Sequence, residues 1–170
     1  MKTIATYEID IQIEDPTLMP VDVTDLERAA TATLAHLDCE DASLTIVITD
    51  NEEVARLNRE YRQVDGPTDI LSFPAQGDDE IFEMPPEIEL EVATYLGDLI
   101  IAYPFTANQA KRYHNSLGSE LRLLVVHGTL HLLGYDHDTE EHQREMWEIQ
   151  GEVLSALGDT STNWEREYEP

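Results

Sequence analysis

The sequence holds one cysteine, Cys39, in 170 residues. No internal disulfide is open to it, and neither a CxxC pair nor a thiolate zinc site can be assembled from a single thiol. Bases are scarce as well: 10 lysines and arginines stand against 36 aspartates and glutamates, a formal net charge of −26. So acidic a surface keeps a chain in solution and repels polyanions, which sets a difficulty for any partner built on phosphate. Long apolar runs are missing too. No stretch reaches the length of a membrane span, and the opening MKTIATYEIDIQIEDP carries acids where a signal peptide would be apolar. The expectation is a soluble, cytoplasmic protein with no membrane partner. A chain of this length buries a core without disulfide or metal staples, so a metal, if present, serves function before folding.

What is present is an alternation of short patterns. Ile4, Ile9, Ile11 and Ile13 follow a mostly two-residue period and predict an opening strand. VTDLERAATATLAHLD sets Leu26, Ala29, Ala30, Leu34 and Leu37 at helical spacing behind a cap at Thr24 or Asp25. ASLTIVITD predicts a second strand, and Asp50 or Asn51 a cap for the helix NEEVARLNREYR. PTDILSFPA and YLGDLIIAYP predict two more strands, with Pro67 and Pro74 at the ends of the first, where a missing donor does least harm. Between these two strands, residues 76–93 carry two prolines, seven acids and no base, and read as an exposed acidic loop. PFTANQAKRYHNSLG is helical after Pro104.

SELRLLVVHGTLHLLG leaves almost no polar face, the mark of a helix buried on nearly all sides, capped by Ser119 and ended by Gly134. A last helix, DTEEHQREMWEIQGEVLSAL, presents Met146, Ile149, Val153 and Leu157 as its apolar face. The whole predicts one α/β domain, α+β-like, over residues 1–157. A small mixed sheet of about four strands packs with helices around a buried central helix, and residues 158–170 form a polar tail.

Three of the six histidines fall inside eleven positions at the end of the apolar helix. His127 and His131, four apart, project from one face about 6 Å apart along the axis. The turn that Gly134 allows can swing His137 back toward the same point. Burying one imidazole without a partner costs on the order of 1–3 kcal/mol, and a single metal ion compensates all three. Imidazole-only ligation suits zinc first and leaves nickel, cobalt and iron open. Three ligands leave a coordination position for water, whose pKa such a metal lowers to about 7, so the pattern favours a hydrolytic site over a structural one.

Asp136 is placed to fill the fourth position or, in the favoured reading, to orient a histidine. His114 and His142 could also approach, although His142 and His36 read as surface residues. HExxH peptidases carry a glutamate after the first histidine as general base. Here that position is Gly128, which removes the usual base and lets a backbone or substrate come close to the helix. Six of the ten bases, Arg56, Arg59, Arg62, Lys111, Arg112 and Arg122, lie between positions 56 and 122. Their spacing favours scattered solvated charges over a positive patch.

HGTLHLLGYDH, residues 127–137, resembles the HGxLHLxGYDH signature of the YbeY-type bacterial endoribonucleases, also called rRNA maturation factors. LNREYRQVDGPTDILSFP, residues 57–74, is similar to that family's LNxxYRxxDxPTDVLSFP, and LGDLIIA, residues 96–102, to its LGDIxI. The resemblance implies a zinc-dependent, single-strand-specific endoribonuclease of ribosomal RNA maturation, notably at the small-subunit RNA 3′ end, and of ribosome quality control. It implies His127, His131 and His137 as ligands of one Zn2+ per chain and Arg62 as the functional arginine. Its partners are single-stranded RNA and the ribosomal small subunit or its proteins.

A guanidinium can clamp a phosphate through two parallel hydrogen bonds, while the residues alone allow equally that Arg62 pairs with an acid. Thr68, Asp69, Ser72 and Asp98 also match family positions, and each is open to shaping a cleft or to fixing a strand end. With so few cations to neutralise phosphates, RNA binding is expected to be weak or assisted by a ribosomal partner. Two other functions stay open: a ribosome assembly factor with a structural metal, and a metallohydrolase for another substrate.

Overall fold

The computed structural model describes residues 6–75 and 94–159. Ile4, the acidic segment 76–93 and the tail beyond 159 lie outside the described residues. In chain order the elements are β1 (Glu8–Ile13), α1 (Val23–His36), β2 (Ser43–Thr49), α2 (Asn51–Arg62), β3 (Ile70–Pro74), β4 (Tyr95–Ala102), α3 (Tyr103–Arg112), α4 (Leu117–Leu132) and α5 (Glu140–Ala156). The sheet order is β1-β2-β4-β3, with β1, β2 and β4 parallel and β3 antiparallel to β4. This is the mixed four-stranded α/β arrangement the patterning predicts.

Alternation along β4 divides the interior in two. Leu99 and Ile101 join Leu44, Ile46 and Ile48 of β2 in the main core beneath α1, α4 and α5. Ile100 and Ala102 point the other way, to a smaller cluster with Val54 of α2, Leu71 of β3 and Phe105 of α3. Because β3 shares this period, Ile70 faces the main core and Phe73 packs on the smaller one. The sheet therefore carries helices on both faces, and its β3 edge lies beside α4.

Helix α4 buries eleven of its sixteen residues, as its all-round hydrophobicity requires. Two caps differ from the sequence reading. Ser116, not Ser119, caps α4, accepting a bond from the Ser119 amide, and Asp22, not Thr24 or Asp25, caps α1 in the same way. The side chains left over serve packing: Asp25 pairs with Arg122 at 3.0 Å, and the Ser119 hydroxyl donates to Asp159. Asp50 caps α2 as expected.

Candidate metal and phosphodiester site

The end of α4 builds the site. Gly134 takes φ +97°, its amide bonds to the His131 carbonyl and the Tyr135 amide reaches back to the Leu130 carbonyl, the paired bonds of a Schellman stop. This turn returns His137 to its two predecessors. The three rings lie 4.6–5.6 Å apart, centroid to centroid, and each offers a ligand nitrogen within 4.8 Å of the others. Trp147 of α5 stands 5.6–6.0 Å from the His137 and His127 rings and shields the cluster on that side.

Proton positions follow from the acceptors. His131 Nδ1 lies 2.9 Å from the Tyr135 carbonyl, which can only accept, so Nδ1 carries the hydrogen. Burial, then the neighbouring His137, lowers the His131 pKa and favours the neutral ring. Its Nε2 is thus a lone pair. His127, 2 % exposed, meets the Gln150 amide oxygen through Nδ1 at 3.0 Å, which assigns its lone pair to Nε2 as well.

The two Nε2 atoms face each other at 3.0 Å. Two lone pairs at that range repel, and a shared cation removes the conflict. The spacing approaches the roughly 3.3 Å of two nitrogens on one tetrahedral zinc at about 2.0 Å. The donor set therefore fits a divalent ion, with the orienting partners of His127 and His131 already in place.

His127 and His131 open onto a cleft of about 520 Å³ whose lining also includes Arg62, the last residue of α2, and Ser72 and Phe73 of β3. Among the described residues no carboxylate lies within ion-pair distance of Arg62. The pairing alternative raised for it finds no partner there. A guanidinium sharing an open cleft with two of the three clustered imidazoles is an arrangement suited to a phosphodiester.

The Endoribonuclease YbeY family model matches residues 9–158. The chain belongs to the YbeY family. The endoribonuclease YbeY of Roseiflexus castenholzii is 42 % identical to it over 152 residues, 88 % of this chain and 92 % of that one. That of Bacillus mycoides is 44 % identical over 123 residues, 70 % and 75 % of the two chains. The solution structure of TM1509 from Thermotoga maritima shares the fold, with TM-score 0.55, 20 % identity, and coverage of 95 % of this chain and 100 % of that one.

The other motif residues of this YbeY-family chain divide between cleft and scaffold. Ser72 borders the cleft. Asp69 is buried, accepting from the Ile70 amide and from Gln109, while Thr68 bonds to Asp69. Asp98 accepts from the Tyr95 hydroxyl. Asp136 borders the cleft and accepts the His137 amide at 2.7 Å, orienting that residue through its backbone. His114 and His142 are not in the ligand group; His142 is exposed and pairs with Asp138, and His36 is exposed and pairs with Glu152.

Gly128 corrects the sequence reading in detail. A Cβ there would sit 2.8 Å from side-chain atoms of Ile70 and Leu99. The glycine admits the sheet's side chains, not a substrate or backbone, so a glutamate at this position would enter the core against Ile70 and Leu99. Three of the six central bases are held in ion pairs: Arg56 pairs with Glu53 and Glu60, Arg59 with Asp65, and Arg122 with Asp25 and Asp159. No described helix is long and apolar enough to cross a membrane.

Sequence reasoning missed Gln150 and Trp147. Gln150 is fully buried on the α5 face that holds Met146 and Val153. A glutamine at an apolar helical position was the available signal.

Proposed function

We propose that this chain is a zinc-dependent, single-strand-specific endoribonuclease of ribosomal RNA maturation, acting at the small-subunit RNA 3′ end and in ribosome quality control in the cytoplasm. The observation that carries this reading is the single cleft that Arg62 lines together with His127 and His131. His127, His131 and His137 would hold the ion, which when bound supplies Lewis-acid polarisation of a phosphodiester oxygen. Arg62 clamps the phosphate and offsets the charge that grows on it as the bond breaks. The Nδ1 tethers of His127 and His131 keep their lone pairs aimed at one point, and burial of His127 keeps water from competing there.

Family membership and the names of the relatives support the RNA substrate and the ribosomal setting. The surface charge supports the partner. With a net of −26 and half of the six central bases held in ion pairs, the free chain attracts RNA poorly, and the small subunit or one of its proteins delivers it. The test is cleavage of single-stranded ribosomal RNA by metal-replete wild type, Arg62→Ala and His131→Ala. Both variants fold and lose cleavage; equal rates in all three would remove the site assignment.

A further inference from the structure

Tyr61 precedes Arg62 in the last turn of α2, and both border the cleft. Its residue surface is 59 % exposed, although it touches the Phe73 ring edge-to-face, centroids 5.5 Å apart at 72°. Phe73 is itself packed on the small core of Val54, Leu71 and Ala102, so the support beneath Tyr61 is fixed. Gln63 ends the helix in the left-handed conformation, and Asn58 holds the Gly66 carbonyl at 2.9 Å, which pins the loop that follows. An aromatic ring held at a rigid corner, largely exposed and one residue from a phosphate-binding guanidinium, offers a flat apolar surface to whatever adjoins that phosphate.

We propose that Tyr61 is a stacking platform for a nucleobase next to the phosphodiester held by Arg62, and through it a determinant of single-strand preference. The proposal rests on the RNA reading above. Bases within a duplex already have both faces covered, so only an unpaired base can be splayed onto the ring. Stacking on aromatic side chains is also sequence-tolerant and does not depend on protein cations. For a chain of net charge −26, contact with bases supplies affinity that contact with phosphates cannot.

The experiment uses the full chain with chelator present, so that binding is read without cleavage. The probes are single-stranded hexaribonucleotides with 2-aminopurine at each position in turn, and matched oligomers abasic at that position. Wild type quenches the aminopurine at one preferred position; Tyr61→Ala loses the quenching and binds about tenfold more weakly. Tyr61→Phe, which keeps the ring, stays within about twofold of wild type. The abasic oligomer binds wild type as weakly as the intact one binds Tyr61→Ala, and the two changes together cost no more than either alone.

Equal binding of wild type and Tyr61→Ala, or a phenylalanine variant as weak as the alanine one, overturns the stacking role while leaving the RNA reading in place. Wild type that binds none of the oligomers overturns the stacking role, and the metal-replete cleavage assay above decides the RNA reading separately. Circular dichroism and melting of each variant exclude loss of fold as the cause.

Discussion

The Nε2 atoms of His127 and His131 lie 3.0 Å apart, each ring tethered by its Nδ1 to an acceptor from elsewhere: the Gln150 amide for one, the Tyr135 carbonyl for the other. Such an arrangement is held against its own repulsion and released by a cation. Divalent metal therefore stabilises the fold. At a hundredfold excess over Kd the linkage is worth about 2.7 kcal/mol. For a chain of this size that raises Tm by about 5–10 °C. Calorimetry with zinc and with chelator checks it, and His137→Ala abolishes the response.

Gln150 holds the His127 ring and through it would act on a bound ion. Replacing it with leucine keeps the shape of a fully buried side chain and removes the acceptor that fixes the imidazole tautomer. Gln150→Leu weakens metal affinity by about 10- to 100-fold while the apo chain still folds. Competition against a zinc-sensitive chelating dye measures it. Affinity equal to wild type would show that the tether does not matter.

The difference between these residues explains how much was legible beforehand. His127, His131 and His137 lie on one helix and its exit turn, so chain geometry alone brings them together. Gln150 reaches His127 only because α5 packs on α4, a tertiary relation that no local pattern encodes. Strand and helix positions followed from periodicity, whereas the caps of α1 and α4 did not. Asp22, Thr24 and Asp25, or Ser116 and Ser119, compete at each start, and the winner is the residue where the backbone leaves helical angles. The charged residues were hardest to place: Arg122 read as one of several scattered solvated charges and is a tie between α1 and the residues that follow α5.

Arg62 distinguishes a clamp from a mere charge. Arg62→Lys keeps the charge and loses the paired hydrogen bonds of the planar fork. Arg62→Ala lowers turnover about 100- to 1000-fold, and lysine restores a small part of it. Steady-state cleavage of a short single-stranded RNA gives both parameters. The loss falls on kcat more than on KM, because the bonds strengthen as charge develops.

Asp69 gives the fold a specific pH dependence. Burial pushes its carboxyl above the ordinary aspartate range, and hydrogen bonds from Gln109, Ile70 and Thr68 offset this only in part. In the window from about 4, the unfolded value, up to its raised folded value, the native chain holds a proton the unfolded chain has released. Stability contributed by this group is thus present at low pH and is lost as pH rises through that window. Asp69→Asn removes the dependence. Urea midpoints of both proteins across pH 4–8 show a difference that changes with pH; a constant offset would contradict the assignment.

The most direct measurement is the metal content of the purified chain, determined by mass spectrometry on the same samples assayed for single-stranded RNA cleavage while zinc is titrated into the apo protein. The account predicts that cleavage rises in proportion to bound metal and stops rising at one ion per chain. It also predicts that His131→Ala neither binds nor cuts. Full cleavage by metal-free protein, or an ion bound tightly in a chain that cuts no faster for it, would contradict the three-histidine centre as the seat of activity.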